Sequence, residues 1–451
     1  MIIIGLVSRR KANKADYFFV AGRRGSTLFI TGSLLATIIG GSAVMVTTSR
    51  GFTWGLSGIW WLLVGSIGLV ILGFFFAKKV RKLGLYTLPA LIKAQYDSRV
   101  ALTASILIVI AWNGVIAAQI IAAGQIMAIL GVGSPTLWMV IFAVVFIIYT
   151  ALGGQQAIIR TDSVQTVIIF GGIFSVLALI LSRLGGLNGL WTSLPPAQLT
   201  FPLSSQFNGY DLVSLLLLVG LTYVVGPDMY SRLFCARGEK TAKASVLWTA
   251  LIIIPFALAI TVIGMGASVL YPQIAADQAL PTVITELLPP LLGGIVLAAL
   301  LCAFMSSADT TLLSASTILV VDIIGHFHPR QSPEKALFLT RWGIVILGLV
   351  SLSLALYLNG ILSAILFAFT IYTAGITLPV IAGFYKDRLK VTSPGALAAV
   401  IGGGSAAVVS ELLDIKYLDV GALIFSGCLL LAVSYIDNRR KGQRLDANTS
   451  I

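Results

Sequence analysis

Apolar residues along this chain occur in runs of about 20 or more, with short polar segments between them. Such runs have the length of a helix that crosses a bilayer, and helices satisfy their own backbone hydrogen bonds there. The pattern therefore predicts twelve membrane-spanning helices. They cover residues 27–50, 55–77, 100–131, 134–152, 156–183, 209–232, 243–270, 290–323, 335–358, 361–385, 394–412 and 417–436.

Three segments fall outside these spans. They are an N-terminal stub and cytoplasmic basic segment at 1–26, an extracellular loop at 184–208 and a cytoplasmic tail at 437–451. Met1–Val7 is apolar but too short to cross a bilayer, and no signal-peptide cleavage site follows it. Its length fits the remnant of a helix, and a complete helix before Ser8 would place the N-terminus outside the cell.

The composition supports a membrane protein and excludes a soluble fold. Of the 451 residues, 58% are hydrophobic and 10% are charged, and the mean hydropathy is +0.99. Soluble domains carry roughly 25% charged residues. Cys235, Cys302 and Cys428 show no paired spacing, so neither a disulfide framework nor a zinc site is predicted.

The positive charges agree with this topology. The net charge is +13, but the 30 Lys and Arg residues lie between apolar runs rather than on a soluble face, so nucleic-acid binding is not predicted. With residues 9–26 in the cytoplasm, all 30 fall on the cytoplasmic side except Arg50, Arg183 and Lys416. We therefore expect a multi-pass protein of the cell (inner) membrane with its C-terminus in the cytoplasm.

Two carboxylates lie inside predicted spans, where ionisable side chains are costly and usually mark an ion or solute path. The eighth span is also rich in oxygen atoms. It carries Ala303, Ser306, Ser307, Asp309 and Thr310, and the fifth span carries Asp162. Hard cations prefer oxygen ligands, which favours a sodium site, although a single Ser or Thr more often bonds back to its own helix.

The first span contains the pair Gly40-Gly41 between β-branched residues, which is a weak place in a helix. A break there would free backbone carbonyls, as in transporters that coordinate sodium at a discontinuous helix. The alternative interpretation is a close-packing contact between two helices.

The sixth span contains a second predicted interruption at Tyr223, Gly226, Pro227 and Asp228, because Pro lacks a backbone donor and disfavours helix in the residue before it. Breaks at equivalent positions of the first and sixth spans are what an inverted repeat would produce, although the two halves show no convincing sequence identity. Arg232, just beyond, is interpreted as an interfacial anchor.

Four motifs resemble the sodium/solute symporter family, whose members carry sugars, proline, pantothenate, monocarboxylates or sialic acid. They are Asp16 to Arg23; Tyr149 to Gly154 with Arg160 to Gln165; Pro227 to Arg232; and Met305 to Thr310. The resemblance covers nearly the whole chain. Two features depart from it: Gln155 stands where an apolar residue is usual, and the helix expected before Ser8 is nearly absent.

This resemblance implies an all-α, polytopic membrane protein with a LeuT-type core of two inverted five-helix repeats, at 27–183 and 209–385, followed by two peripheral helices at 386–436. It also implies sodium-coupled symport of a small organic solute by alternating access, with Na+ as the coupling ion. The conserved sodium site of the family falls on the backbone of Ala36, Ile39 and Ala303 and on the hydroxyls of Ser306 and Ser307.

Some members hold a second sodium between the fifth and eighth spans. Here that site would use Asp162, Ser306, Asp309 and Thr310, and Asp309 departs from the serine of those members. Two nearby buried carboxylates also favour holding a proton. A proton-coupled transporter that uses Asp162 and Asp309 is therefore an alternative.

The solute pocket is expected beside the two breaks. Its candidate residues are Thr37, Gly41, Ser42, Trp60, Asn113, Gln119, Tyr223 and Thr370. The family offers an amino acid, a monocarboxylate, a vitamin or a sugar as the solute, and the small apolar stretch after Ile39 favours a compact one. Trp60 fits the aromatic belt of a membrane interface equally well.

Other functions explain the sequence less well. A membrane sensor with the same core would carry a kinase domain, which does not follow the last span, and an ion channel would need a continuous polar pore. An enzyme is not expected, because His326 and His328 lie in a loop without a nucleophile or metal partner. We expect a monomer whose partners are a small-molecule solute and the lipid bilayer.

Overall fold

The computed structural model describes residues 14–128, 131, 133–358, 360–413 and 418–449. Helices account for nearly all of these residues, so the predicted all-α, polytopic fold is confirmed. The apolar stub at Met1–Val7 lies outside the described residues.

The helices of the first half are α1 (Ala15–Val20), α2 (Thr27–Ile38), α3 (Gly41–Trp54), α4 (Trp60–Ile71), α5 (Ala77–Lys82), α6 (Leu88–Gln95), α7 (Ser98–Ala128), α8 (Pro135–Arg183) and α9 (Gly186–Ser193). Short 3₁₀ or π turns join several of them. Because α9 lies in the segment predicted as an extracellular loop, that segment is partly helical.

The helices of the second half are α10 (Gly209–Leu215), α11 (Leu221–Val225), α12 (Pro227–Cys235), α13 (Glu239–Leu270), α14 (Ala279–Leu287), α15 (Pro290–Thr317), α16 (Gly325–Phe327), α17 (Pro333–Tyr357), α18 (Ile361–Tyr372), α19 (Leu378–Gly383), α20 (Lys386–Leu389), α21 (Ser393–Leu413) and α22 (Leu418–Thr449). The last two are the pair of peripheral helices that follow the core.

Ten helical stretches of the described chain are long and apolar enough to cross a membrane. Two of these, Gly41–Lys82 with 42 residues and Pro135–Arg183 with 49, exceed by far the roughly 20 residues that one crossing needs. In each the backbone leaves the helical conformation at a glycine of positive φ, Gly55 (φ +63°) and Gly154 (φ +58°). Dividing both stretches there, and adding the shorter helix α2 to Gly41–Trp54 as the first span, gives twelve segments near the positions of the predicted spans.

Both predicted helix breaks are present. In the first span α2 ends at Ile38 and α3 begins at Gly41, and Gly40 between them is non-helical (φ −51°, ψ 150°). The sixth span is interrupted at Gly226 (φ −56°, ψ 133°), where Pro227 begins α12. Helix ends leave backbone groups without intrahelical partners, so both breaks offer polar atoms inside the bundle.

Packing brings the broken spans to the same place. The eighth-span helix α15 packs against α7 and α8, and α2 packs against α8 and α13. The second half of the sixth span, α12, contacts both α2 and α15. Residues of the first, fifth, sixth and eighth spans therefore meet in the interior.

Candidate ion and solute sites

Arg232 on α12 lies in a buried polar cluster between four spans. Its side chain is 0% exposed, and its Nη2 lies 3.3 Å from Oδ2 of Asp162. Nε donates to Ser33 Oγ at 3.1 Å. Nη2 also donates to Thr37 Oγ1 at 2.8 Å and to Thr310 Oγ1. The interpretation of Arg232 as an interfacial anchor is therefore wrong.

That interpretation failed because a basic residue near a predicted span end was assigned to the interface. Burial of a guanidinium requires an opposite charge, and Asp162 supplies it from a helix 70 residues earlier in the chain. One sequence signal was available. The neighbours Met229, Leu233 and Phe234 are apolar and are all buried, so α12 continues into the protein core.

The four residues predicted for a second ion come together around Asp162. Ser306 Oγ donates to its Oδ1 at 2.6 Å, and Ser33 Oγ donates to its Oδ2 at 2.5 Å. Thr310 Oγ1 donates to Asp309 Oδ1 at 3.3 Å, while Asp309 Oδ2 is buried without a hydrogen-bond partner among the described atoms. In the structure the positive charge inside this cluster is the guanidinium of Arg232.

Ser307 on α15 lies directly against the break in the first span. Its hydroxyl donates to the carbonyl oxygen of Thr37 at 2.8 Å. A Cβ atom at Gly40 would overlap the Ser307 side chain, so glycine is what permits this approach. The remaining predicted ligands of the conserved sodium site are also buried. They are Ala36, Ile39, Ala303 and Ser306.

The backbone at this break has oxygen atoms to offer. Ile39 N bonds to Leu35 O at 2.8 Å, and Val44 N bonds to Gly40 O at 3.1 Å. The carbonyl groups between them belong to the end of α2, where the amides of a following helical turn are missing. Main-chain carbonyls together with two serine hydroxyls form a donor set that suits a hard cation such as Na+.

A cavity lies beside both breaks, lined by residues of the first, second, third, sixth, eighth and tenth spans. Four predicted pocket residues line it: Thr37, Ser42, Gln119 and Tyr223. Sequence reasoning missed other lining residues. These include Trp61, Trp112, Asp228 and Phe369.

Ser42 and Gln119 are paired across the cavity wall. Gln119 Nε2 donates to Ser42 Oγ at 2.6 Å, and Ser42 N donates to Gln119 Oε1 at 3.4 Å. This pair joins α3, just after the first break, to α7. It fixes the edge of the cavity that the α3 N-terminus forms.

Two predicted pocket residues point elsewhere. Trp60 Nε1 donates to the Pro202 carbonyl at 2.8 Å, so this side chain faces the connection between the halves of the chain. Asn113 accepts a hydrogen bond from Ser351 Oγ at 2.8 Å and therefore faces α17. Neither residue lines the cavity.

A second opening, which we call the vestibule, shares Trp61 and Val219 with the cavity. Its walls include Arg50, Asp211, Glu411, Asp419 and the predicted pocket residue Thr370. The vestibule thus leads towards the cavity from one end of the bundle.

Gly41, the last predicted pocket residue, lies so close to Phe304 that a Cβ atom would overlap its ring.

At the opposite end of the bundle, the segment before the first span contacts the loop that follows the second span. Tyr86 donates a hydrogen bond to Asp16, and the Arg23 guanidinium lies 5.1 Å from the centroid of the Tyr86 ring. Arg23 Nη2 also donates to the Gly84 carbonyl at 2.6 Å. The hydrogen bond to Asp16 and partial burial raise the pKa of Tyr86, so its hydroxyl stays protonated at neutral pH.

Two broken spans that face each other inside a helical bundle are typical of the LeuT-type fold of secondary transporters. A solved structure has the same fold. The substrate-bound outward-open state of a Na+-coupled sialic acid symporter matches with a TM-score of 0.83 at 18% identity, over 96% of this chain and 95% of that one. The predicted LeuT-type core is therefore confirmed.

The model of the sodium:solute symporter family matches residues 18–403, and the chain belongs to this family. The sodium/pantothenate symporter of Haemophilus influenzae is 25% identical, over 97% of this chain and 94% of the relative. The sodium/glucose cotransporter of Vibrio parahaemolyticus is 24% identical, over 89% and 81%. The resemblance found in the motifs is confirmed, and the function of the class is sodium-coupled solute symport.

Proposed function

We propose that Na+ binds between the break of the first span and α15, and that it drives symport of a small organic solute across the cell (inner) membrane. The ligands are the backbone oxygens of Ala36, Ile39 and Ala303 and the hydroxyls of Ser306 and Ser307. One observation supports this site above all: the Ser307 hydroxyl lies 2.8 Å from the Thr37 carbonyl at the point where the helix is broken.

A second ion site at Asp162, Ser306, Asp309 and Thr310 is a separate proposal. The guanidinium of Arg232 contacts Asp162 and Thr310, so a second Na+ requires Arg232 to withdraw. Coupling to protons through Asp162 and Asp309 is not favoured, since the relatives are sodium symporters. We therefore propose one Na+ at the conserved site while Arg232 holds its observed position.

The solute binds in the cavity beside the breaks, at Thr37, Ser42, Gln119 and Tyr223. Na+ and solute then stabilise the same arrangement of the broken spans, so each raises the affinity for the other. Of the other predicted pocket residues, Thr370 would contact the solute in the vestibule. Three of the predicted residues do not line the cavity and are not part of the proposed pocket. They are Gly41, Trp60 and Asn113.

The orientation follows from charge. The basic end, where Arg23 and Tyr86 meet, would face the cytoplasm together with the C-terminus, and the vestibule would face outside. The protein would act as a monomer in the bilayer and catalyse no chemical step. The named solutes of the relatives include pantothenate and glucose.

The sodium site is tested by replacing Ser307→Ala and Ser306→Ala one at a time in the full chain. Purified protein in detergent is titrated with NaCl at constant ionic strength against KCl, and the Tm is followed. We expect sodium to raise the Tm of the native chain. Because each hydroxyl is one ligand of a charged ion, its loss should weaken the apparent sodium affinity by about tenfold or more.

Ser316→Ala is the matched control, because Ser316 is buried in the same helix and its hydroxyl has no partner among the described residues. It should keep the native sodium response. An unchanged sodium affinity in a folded Ser307→Ala protein refutes the proposed site.

A further inference from the structure

Building on the proposed function, we infer that the solute carries a positively charged nitrogen, as an ammonium or a quaternary ammonium group. The cavity would bind this group between the Asp228 carboxylate and aromatic rings. Among the described residues that line the cavity, Asp228 alone carries a charge, and Trp61, Trp112, Tyr223 and Phe369 line it as well. Aromatic faces attract cations, and the attraction grows when water is excluded.

The Asp228 carboxylate is held at the cavity wall by the start of α12. The backbone amides of Asp228 itself and of Met229 favour the charged form of this carboxylate. Arg232, one turn further along α12, uses its guanidinium on Ser33, Thr37, Asp162, Thr310 and Ser231. Asp228 is therefore oriented by the backbone and stays open to the cavity, without a hydrogen-bonded cationic partner among the described side chains.

The hydroxyl groups of the cavity are largely satisfied within the protein, which disfavours a polyhydroxylated solute. Thr37 Oγ1 donates to Ser33 O, Thr311 Oγ1 donates to Ser307 O, and Thr222 Oγ1 donates to Leu218 O. By contrast, the buried indole N–H of Trp112 has no partner among the described atoms. It offers one donor to an oxygen of the solute.

Charge balance around the two breaks supports the same class of solute. Three carboxylates, those of Asp162, Asp228 and Asp309, interact electrostatically with one guanidinium, that of Arg232. Buried charges need compensation. Because the Arg232 guanidinium is paired with Asp162, a cationic solute would compensate the carboxylate of Asp228, whereas an anionic solute would leave it without an opposite charge.

The wall of the vestibule also carries a negative net charge, although the whole chain is strongly basic. The charged residues of its wall are Arg50, Asp211, Glu411 and Asp419, which is three carboxylates against one guanidinium. Charges of one sign in a cleft raise the local concentration of counter-ions and speed their entry. A cation would therefore be attracted along the path that ends at Asp228.

The inference is tested with compact solutes in pairs that differ only in charge. Choline is compared with its neutral isostere 3,3-dimethylbutan-1-ol, and putrescine with butane-1,4-diol, while propionate and glucose represent anions and sugars. Binding to the full-length protein in detergent is measured by thermal shift with and without sodium, and uptake is measured in proteoliposomes. At least one cation should bind at least about tenfold more tightly than its neutral partner.

Asp228→Asn keeps the size and one acceptor for the α12 amides but removes the charge, so it should abolish the preference for the cation. Asp228→Glu should retain it, and Asp387→Asn, at an exposed position, should behave as the native chain does. The inference is overturned if a neutral or anionic solute binds more tightly than the cations, or if no cation binds. Cation binding without any sodium effect contradicts only the proposed sodium coupling.

Discussion

At the residue scale, the ion pair of Arg232 and Asp162 is the strongest electrostatic feature of the interior. Both side chains are 0% exposed, and five hydroxyls complete the contacts of the pair: those of Ser33, Thr37, Ser231, Ser306 and Thr310. In a bilayer neither charge can be left without compensation. The pair therefore joins the fifth span to α12 and holds the broken sixth span against the first.

Replacing Arg232→Met should lower the free energy of unfolding by about 3–5 kcal/mol, because it leaves the buried carboxylate of Asp162 unpaired. The double variant Arg232→Met with Asp162→Asn should recover most of that loss. The measurement is unfolding in mixed detergent micelles by added SDS, with exposed Arg388→Met as the control. A double variant no more stable than the single one would mean that Asp162 is not the partner that matters.

Particular residues show how far the sequence alone reaches. Asp162 and Ser307 were identified because polar atoms are conspicuous in an apolar span. Trp60 was predicted to line the cavity, but Trp61 lines it instead, because an apolar side chain is not conspicuous in an apolar span. The helix that carries both is apolar all round, since lipid and core are both apolar, so periodicity does not reveal which face turns inward. Asp228 was noticed only as part of a break, and its role in the cavity depends on tertiary packing.

At the element scale, the break of the first span depends on Gly40. Its missing Cβ allows Ser307 to reach the Thr37 carbonyl, and its non-helical backbone ends α2 and begins α3. The break was predictable from the glycine pair. The glycine pair did not predict which helix would contact the break, because α15 is distant in sequence. The two residues that the hydrogen bond joins, Ser307 and Thr37, are 270 residues apart.

Gly40→Ala should therefore push α15 away from the break. Overpacking of this kind costs about 1–3 kcal/mol of unfolding free energy, and we expect the sodium-induced rise in Tm to shrink as well. Gly171→Ala in α8 is the control, since no atom lies within 4 Å of its added Cβ.

Combining Gly40→Ala with Ser307→Gly separates packing from ion binding. The smaller residue removes the overlap, so the stability in mixed micelles should return, while the sodium response should stay weak because a proposed ligand is gone. Recovery of both properties together would argue against Ser307 as a sodium ligand.

At the scale of the whole molecule, the two ends of the path differ. The vestibule is acidic and connects with the cavity through Trp61 and Val219, whereas Tyr86, Asp16 and Arg23 interact with one another at the basic end. The Tyr86 contact is present below the ordinary pKa of tyrosine and is lost only as the pH rises through its raised value. The hydrogen bond between Tyr86 and Asp16 should thus be insensitive to pH near neutrality.

Alternating access between these ends carries at least the charge of one Na+ across the membrane in each cycle, so transport should respond to voltage. An inside-negative potential of 100 mV contributes about 2.3 kcal/mol per charge, which corresponds to roughly 50-fold more accumulation of the solute at equilibrium.

This accumulation is measured in proteoliposomes with equal sodium on both sides and a potassium-diffusion potential set by valinomycin. The substrate is the one chosen by the binding screen. The same vesicles held at zero potential provide the baseline, and a pH gradient imposed without sodium examines coupling to protons. Accumulation that ignores the potential, or that follows the pH gradient in the absence of sodium, would contradict sodium-driven symport by this chain.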